Sequence, residues 1–298
     1  MPTAQEPDEV VRVRTDLVIV PLTVTDSRAR RIPNLKSDDF TLVVDKRQAK
    51  IDYFASGTDR VAMLFALDTS GSAREVIVQQ REGALSLYGR FGSGSRVAVL
   101  QFSDILRLPV PFTRDSAAAA ATFNFEARAS GGTAIFDGAA TAVRAFDGSG
   151  GFAMERRIVV LISDGLDTLS SAKYADVVAA ARARGVSFYV IHYLLFTPRD
   201  GRLAARPAAK GFRELAEQTG GRYFRIGDAK SSLVANAHYD LSAVFQAIED
   251  DLRGQYVIGF YPAPAARDGQ TRSVTVTLVN RKSKLKENQL RTTYSLKP

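Results

Sequence analysis

The sequence predicts an α/β protein with a doubly wound, mostly parallel central sheet and a β-rich companion region built from the N- and C-terminal segments. Continuous apolar runs are typical of strands that helices cover on both faces, and the clearest run is residues 61–67, VAMLFAL. Such runs alternate with stretches of helical periodicity through the middle of the chain, which favours a parallel sheet. Both ends instead carry short strand patterns divided by polar turns.

The middle of the chain supplies the predicted central sheet. Gly185 and Gly220 each follow a helical pattern, as C-terminal helix caps do. Pro109 and Pro111 place one strand at a sheet edge, because proline cannot donate a ladder hydrogen bond. Strands are predicted at residues 61–67, 96–102, 106–112, 157–163, 186–193 and 221–226. Helices are predicted at residues 72–88, 116–127, 134–146, 171–184, 211–219 and 241–252.

The two ends of the chain carry the remaining strand patterns. Strands are predicted at residues 10–13, 17–25, 41–45, 49–54, 255–261, 273–280 and 289–295. Neither end is large enough to bury a core alone, so we expect the two to pack together or against the central domain. The predicted regions are a disordered N-terminus at 1–9, an N-terminal β-rich region at 10–58, a central α/β domain at 59–253 and a C-terminal β-rich segment at 254–298.

An aspartate and two serines follow the first central strand in the pattern D-x-S-x-S, as Asp68, Ser70 and Ser72. They fall in a strand-to-helix turn at the carboxyl edge of the sheet, where open α/β folds place ligands. Oxygen donors suit a hard cation such as Mg²⁺, which also retains water. The alternative is an ordinary helix N-cap, since Asp and Ser cap helices without any metal.

Two further segments add oxygen donors in loops. A Gly-Gly-Thr segment ending at Thr133 precedes an Ala-rich helical stretch, and a second apolar strand ends in Ser-Asp-Gly, with the aspartate at Asp164. This order of D-x-S-x-S, G-G-T and S-D-G resembles the von Willebrand factor type A family and its metal-ion-dependent adhesion site. The resemblance implies the Rossmann-like fold of that family.

The resemblance also implies which residues hold the ion. Ser70, Ser72 and Thr133 match the family's hydroxyl ligands, while Asp68 and Asp164 match its two carboxylates, which bind directly or through water. The ion would be Mg²⁺, Mn²⁺ or Ca²⁺, and an Asp or Glu of a partner protein would complete its coordination. A site with only two carboxylates leaves a divalent ion electrophilic toward an incoming carboxylate.

The flanking segments carry a narrower resemblance. Much of residues 17–45 and 255–262 is similar to bacterial proteins termed von Willebrand factor A-related, which are common in acidobacteria. The turn at Asp45 and Lys46 departs from that pattern because it lacks the usual glycine. Members are usually exported, which implies a periplasmic or extracellular protein whose signal peptide is absent from this chain; a cytoplasmic location stays open.

Composition favours a globular protein without disulfides or a membrane-spanning helix. The 298 residues are 45% hydrophobic and 24% charged, and they include no cysteine. Disulfides, thiolate metal sites and cysteine nucleophiles are therefore excluded. No apolar run approaches the roughly 18 residues that a spanning helix needs.

The formal net charge is +8, and the densest basic patch lies at residues 281–286. A nucleic-acid binder would interleave aromatic residues with such a patch, and residues 280–290 contain none. We therefore interpret the patch as a solvated face and expect no nucleic-acid partner. The positive field favours acidic partners or anionic cell-surface polymers by steering.

No catalytic set emerges, so an enzyme is not predicted. Asp68 lacks the second aspartate of the D-x-D pattern of aspartate phosphatases, and Ser70 lacks the G-x-S-x-G context of serine hydrolases. Of the two histidines, His192 lies in an apolar strand and is interpreted as a core residue, and nothing near His238 marks it as a base. The glycine-rich stretch 91–95 precedes a strand, the reverse of the order in a P-loop.

Three acidic residues and one loop near the predicted site are open to interpretation. Asp137, on the helix after Thr133, is a candidate for a hydrogen bond within the site, and equally for a solvated acid at a helix start. Asp104 and Asp167 fall in loops that flank the site and are expected to shape its rim without binding the ion. The loop at 196–209 is long enough to be functional or merely mobile.

The predicted function is a metal-dependent protein-binding module. The alternative is a structural or assembly domain in which the ion only fixes loops, and a metal-dependent hydrolase is a more distant third. In some family members the last helix moves when the site engages a partner, and the corresponding helix here is the one predicted at 241–252.

Overall fold

The computed structural model describes residues 17–26, 32–56, 61–73, 77–90, 95–115, 117–118, 121, 131–147, 155–230, 233, 239–263, 266, 268–279 and 290–294. The chain forms two compact units, a central unit of residues 56–254 and a flanking unit of residues 1–55 and 255–298. Five predictions fall wholly or mostly outside the described residues: the N-terminus at 1–9, the strand at 10–13, the helix at 116–127, the patch at 281–286 and the surroundings of His238.

Strands and helices alternate through the central unit, and the described residues of the flanking unit form strands and a short 3-10 turn at Ser37–Asp39. The strands are β1 (Val18–Thr23), β2 (Phe40–Val44), β3 (Arg47–Ala49), β4 (Tyr53–Ser56), β5 (Val61–Asp68), β6 (Arg96–Phe102), β7 (Leu106–Thr113), β8 (Arg156–Ser163), β9 (Val186–Tyr193), β10 (Phe196–Arg199), β11 (Arg202–Ala205), β12 (Tyr223–Ile226), β13 (Gln255–Phe260), β14 (Arg272–Leu278) and β15 (Leu290–Tyr294). The helices are α1 (Ile77–Gly89), α2 (Ile135–Arg144), α3 (Tyr174–Ala183), α4 (Phe212–Thr219) and α5 (Ser242–Arg253). None of these described helices is long and apolar enough to cross a membrane.

The central sheet has six strands in the order β12-β9-β8-β5-β6-β7. Neighbouring strands are parallel except at β7, which runs antiparallel to β6. The predicted α/β class is therefore confirmed, and the strand with Pro109 and Pro111 lies at the sheet edge as expected. Because β5, β8 and β9 are parallel neighbours, their carboxyl ends meet at one edge of the sheet.

Helices cover both faces of this sheet, which explains why its central strands carry long apolar runs. All eight residues of β5 are buried. Its alternate residues Val61 and Met63 pack in one core with residues of α1 and α5. Ala62 and Leu64 point to the other face and pack with residues of α2, α3 and α4. The sheet is thus doubly wound.

The flanking unit joins the two ends of the chain in antiparallel sheets. β1 pairs with β13, and β4 lies on the other side of β13. A second sheet has the order β15-β14-β2-β3. Phe40, Leu42, Tyr256 and Val276 belong to a core that both ends of the chain supply. The predicted β-rich companion region, built from the N- and C-terminal segments, is confirmed.

The single strand predicted at 49–54 is wrong, because this segment forms parts of two strands in different sheets. β3 pairs with β2, and β4 belongs to the sheet of β13. Between them the chain crosses from one sheet to the other. The Asp52 N–H donates to the Gly259 carbonyl oxygen (2.9 Å), and the Asp52 carboxylate accepts from the Tyr261 N–H (3.1 Å).

The loop predicted at 196–209 is in large part a β-hairpin, so that prediction is also corrected. β10 and β11 pair antiparallel through a two-residue turn at Asp200 and Gly201. Both turn residues have positive φ, 51° and 74°, as the tight hairpin turns that favour Asp-Gly require. The hairpin was not predicted from the sequence because its strands are short and the first contains Pro198.

Candidate metal centre

Two buried carboxylates lie at the carboxyl edge of the central sheet. Asp68 is the last residue of β5, and Asp164 directly follows the neighbouring strand β8. Asp68 is 0% exposed and Asp164 is 2% exposed. Burying a carboxylate is costly unless it is hydrogen-bonded or paired with a positive charge.

The turn after β5 gathers the two serines beside Asp68. The Ser70 N–H donates to Asp68 Oδ1 (2.9 Å), and the hydroxyls of Ser70 and Ser72 are 3.2 Å apart. Thr69, between Asp68 and Ser70, hydrogen-bonds instead to β6, where the Phe102 carbonyl oxygen accepts from its N–H (2.8 Å) and from its hydroxyl (3.2 Å). The turn is therefore held by β6, while Ser70 contacts Asp68 and the two serine hydroxyls lie together.

Thr133 lies in the loop before α2 and is held by the loop that carries Asp164. The Thr133 N–H donates to Thr168 Oγ1 (2.9 Å), and the Thr133 carbonyl oxygen accepts from the N–H groups of Thr168 (2.9 Å) and Leu169 (3.1 Å). Gly132 permits this approach, because a Cβ there would lie 2.6 Å from Leu169 Cδ1. Thr133 is 3% exposed.

Asp164 has one satisfied and one unsatisfied carboxylate oxygen. Oδ1 accepts from the Leu166 N–H (3.0 Å). Oδ2 is buried and has no hydrogen-bond partner among the described residues. Because a buried ionised oxygen without a donor is strongly unfavourable, this atom needs a donor or a cation.

The same surroundings disfavour the ionised form of the Asp68 carboxylate. Burial and the nearby charge of Asp164 raise its pKa, hydrogen bonds from Ser163 and Ser70 lower it, and the net result is a pKa of about 6. The Ser163 hydroxyl donates to Asp68 Oδ2 (2.6 Å) and accepts from the Gly165 N–H (3.0 Å). Among the described residues, neither carboxylate forms an ion pair with a basic side chain, so the site lacks a compensating positive charge.

The donor set fits a hard divalent cation. Among the described residues no group of three or more His, Cys, Asp or Glu side chains gathers as a metal site, so hydroxyls must supply part of the coordination here. Asp68 and Asp164 offer carboxylate oxygens, and Ser70, Ser72 and Thr133 offer hydroxyls in adjacent loops. Mg²⁺ binds through one or two carboxylates and keeps several waters, which such a set allows.

Asp137 and Asp167 connect α2 to the loop that follows β8. The Asp137 carboxylate accepts from the N–H groups of Ser171 (3.1 Å) and Ala172 (2.8 Å). Asp167 Oδ1 accepts from the Ile135 N–H (2.8 Å) and from the Ser170 hydroxyl (2.6 Å). Both carboxylates thus hold the loops that carry the predicted ligands.

Sequence reasoning missed two residues that position the predicted ligands. Ser163 binds Asp68, as described above. His192 is buried, as predicted, and it also contacts the Asp164 carbonyl oxygen through Nε2 (2.9 Å) and the Tyr223 hydroxyl through Nδ1. Burial lowers the pKa of His192. The available signal for Ser163 was its place next to Asp164. His192 had none, because it lies opposite Ser163 only through the β8–β9 register, which the sequence does not specify.

A model of the von Willebrand factor type A domain matches residues 63–236, more than half of the chain. The chain belongs to the von Willebrand factor type A family. Domains of this family are commonly metal-dependent protein-interaction modules. None of the curated proteins compared matches the sequence, and the narrower bacterial resemblance of the flanking segments stays a prediction.

Solved structures of the family resemble this chain at low sequence identity. A von Willebrand factor type A protein from Catenulispora acidiphila is 14% identical, with a TM-score of 0.50 over 97% of this chain and 75% of that chain. Proximal thread matrix protein 1 from the mussel byssus, with a zinc-occupied MIDAS motif, is 15% identical, with a TM-score of 0.51 over 70% of this chain and 49% of that chain. An aerotolerance-related membrane protein from Bacteroides fragilis is 20% identical, with a TM-score of 0.47 over 64% of this chain and 98% of that chain. The first two of these likenesses show the fold alone.

Proposed function

We propose that this protein is a metal-ion-dependent protein-binding module. In this proposal Asp68, Ser70, Ser72, Thr133 and Asp164 hold Mg²⁺, with Mn²⁺ or Ca²⁺ as substitutes. An Asp or Glu side chain of a partner protein completes the coordination of the ion. Binding of the partner then requires the cation.

The unsatisfied Asp164 Oδ2 is the observation that carries this proposal. It lies in a buried site with a second carboxylate whose pKa is raised by burial. A divalent cation would supply the missing positive charge, and this oxygen would coordinate it. Two carboxylates only just balance its charge, so the ion keeps an attraction for a third carboxylate.

The rim of the site offers apolar surface to a partner. Leu169 is 52% exposed and Ile105 is 43% exposed. Leu169 packs against Gly132, and Asp104, next to Ile105, packs against Gly131. Exposed apolar side chains beside a polar centre are typical of protein-interaction sites. They support a partner larger than a free small anion.

The loops of the site do not need an ion to hold them, which disfavours the purely structural alternative. Thr133 is hydrogen-bonded to Thr168, and the start of α2 is hydrogen-bonded to Asp167 and Ser170. An ion whose only role was to fix these loops would duplicate contacts already present. Binding of an external carboxylate gives the ion a role that these hydrogen bonds do not fill.

Peptides that differ by one carboxylate test the proposal. A peptide array with a single Asp, and its Asn counterpart, would be probed with the parent in Mg²⁺ and in EDTA. We expect binding to Asp peptides only, lost in EDTA and in Asp68→Ala and Thr133→Ala. Asp176→Ala is the matched control, because it removes an exposed acid in the first turn of α3 and should bind like the parent. Equal binding in EDTA would contradict the proposal and leave the scaffold alternative.

We also propose a domain organisation and a location. Residues 10–58 and 254–298 would act as one companion to the domain at 59–253. Limited proteolysis tests this by whether the two end segments stay associated after cleavage.

The resemblance to exported bacterial proteins supports a periplasmic or extracellular location. Fractionation of the source cells tests it, and recovery in the cytoplasm would contradict it.

A further inference from the structure

We propose that the β10–β11 hairpin is a second binding element for an acidic polypeptide partner. Arg199 and Arg202, at its tip, would receive carboxylates of a segment whose first acidic residue reaches the candidate metal centre. This inference rests on the proposed function and deepens it, since the partner becomes a run of acidic residues and not a single one. We call residues 196–205 the arginine hairpin.

The arginine hairpin is anchored next to the candidate metal centre. It follows β9, whose carboxyl end lies at the same sheet edge, and Arg206 closes its base by donating its N–H to the Leu195 carbonyl oxygen (2.7 Å). The chain then returns to the site, where the Ala209 N–H donates to the carbonyl oxygen of Gly165 (2.8 Å). Gly165 directly follows the predicted ligand Asp164.

The distance from the hairpin tip to the site suits a short extended peptide. A Cβ at Gly165 would lie 2.8 Å from Ala208 Cβ, so residue 208 contacts the site loop. Ala208 is six positions after Arg202 in the chain, and an extended chain spans at most about 3.6 Å per residue. The Arg202 backbone is therefore within about 22 Å of Ala208. A bound acidic segment of about six residues covers that distance.

The two arginines lie opposite each other, and little negative charge lies near them. Arg199 and Arg202 are directly opposite in the antiparallel register, where like charges repel. The Arg199 side chain is 81% exposed, and its nearest acid, Asp200, is 4.0 Å away and 96% exposed. Among the described residues, no acidic side chain pairs with Arg202. A carboxylate placed between the two guanidinium groups would relieve the repulsion and accept hydrogen bonds from both.

The charge of the whole segment agrees with an acidic partner. Residues 196–210 contain three arginines, one lysine and one aspartate, a net charge of +3. A cluster of one sign next to a cation site adds to the same electrostatic attraction and steers acidic chains toward it. Its effect is felt within about 10 Å at ordinary salt, so it depends on ionic strength.

Two labelled peptides distinguish the arginine hairpin from the metal centre. Both are ten-residue Gly/Ser peptides with one aspartate near one end, and the multi-acid probe adds three glutamates that begin six residues further on. Fluorescence anisotropy would measure their affinities in Mg²⁺ and in EDTA, at low and moderate salt. The test variant is Arg199→Gln/Arg202→Gln. The control is Arg144→Gln/Arg182→Gln, which removes two exposed arginines in the last turns of α2 and α3.

We expect the test variant to bind the multi-acid probe about threefold to tenfold more weakly than the control variant does, because exposed ion pairs contribute modestly. Its affinity for the single-acid probe should not change. Equal melting temperatures of parent and test variant would show that folding is intact.

Equal binding of the multi-acid probe by both variants, with Mg²⁺ dependence preserved, would overturn the hairpin inference alone. Binding that ignores EDTA would overturn the proposed function, and with it the link between hairpin and metal. Absence of Mg²⁺-dependent binding of either probe by the parent would overturn both.

Discussion

The ionised Asp68 carboxylate should destabilise the protein whenever no cation is bound. We would replace it in Asp68→Asn, which keeps the shape and the acceptor for the Ser70 N–H. The Ser163 hydroxyl, which donates to Asp68 Oδ2, can instead accept from the new amide, because a hydroxyl carries two lone pairs. The substitution therefore removes the charge and keeps a hydrogen bond between the two side chains.

The magnitude follows from the pKa of Asp68, which burial raises from 3.8 to about 6. Below pH 4 the group is protonated in the folded and unfolded states. As the pH rises from 4 to 6 the unfolded chain ionises first, so the free energy of unfolding falls. At about 1.4 kcal/mol per pH unit, the full loss above pH 6 is on the order of 3 kcal/mol.

Urea denaturation in EDTA would measure this effect. At pH 7.5 we expect Asp68→Asn to be more stable than the parent by about 1–3 kcal/mol, or about 3–10 °C in melting temperature for a domain of this size. The gain should shrink to about 1 kcal/mol or less near pH 4.5, because the folded parent is then still protonated and most of the loss develops between pH 4.5 and 6. Mg²⁺ should stabilise only the parent. A variant less stable than the parent in EDTA at pH 7.5 would refute the reasoning.

Three further substitutions test the account. Ser163→Ala should weaken Mg²⁺ affinity about 10-fold to 100-fold, measured by calorimetry, because it removes the hydrogen bond that orients Asp68. Glu155→Ala should lower the free energy of unfolding in urea by about 3–5 kcal/mol, because it leaves Arg96 buried without its two-bond partner. Gly221→Ala should cost at least about 2 kcal/mol in the same assay, because a Cβ there would lie 1.9 Å from a carbonyl oxygen of β9.

Matched controls separate these effects from general damage. Arg213→Gln breaks an exposed ion pair with Glu217 and should change stability by less than about 1 kcal/mol. Gly89→Ala adds a Cβ with nothing within 4 Å and should be neutral or stabilising. If these controls cost as much as Glu155→Ala and Gly221→Ala, burial and close packing would not explain the losses. If Ser163→Ala bound Mg²⁺ as tightly as the parent, the inferred role of Ser163 in orienting Asp68 for the ion would be wrong.

The central sheet could be predicted because burial on both faces leaves a direct trace in sequence. The strands β5 and β9 are buried at every position, and both were predicted to within one residue. The hairpin of β10 and β11 left no such trace, because its four-residue strands are partly exposed and contain Pro198. Its Asp200-Gly201 turn was the available signal. The split of 49–54 between two sheets was missed because it depends on long-range pairing with the C-terminal segment.

The glycine-free turn between β2 and β3 shows the limit of local preference. Asp45 and Lys46 both adopt positive φ, 46° and 68°, although glycine is the usual choice there. The Asp45 carboxylate accepts from Ser273 and Arg272, so contacts from β14 stabilise the strained turn. Those contacts also hold the pKa of Asp45 below its usual value.

The meeting of the oxygen donors of Asp68 and Asp164 at one sheet edge could be predicted, because both residues follow apolar strands of a parallel sheet. The contacts that orient those donors could not. Ser163 reaches Asp68, and His192 reaches Asp164, through the register of β5, β8 and β9, which a single sequence does not specify. The unsatisfied Asp164 oxygen likewise depends on the path of the following loop.

A titration of Mg²⁺ and of Mn²⁺ by calorimetry tests the central claim most directly. It would compare the parent with Asp68→Ala and Ser70→Ala at matched circular dichroism, with Asp176→Ala as the control. The account predicts saturable binding in the parent and control, lost in both site variants. No heat and no thermal shift on adding either ion to the parent would contradict it.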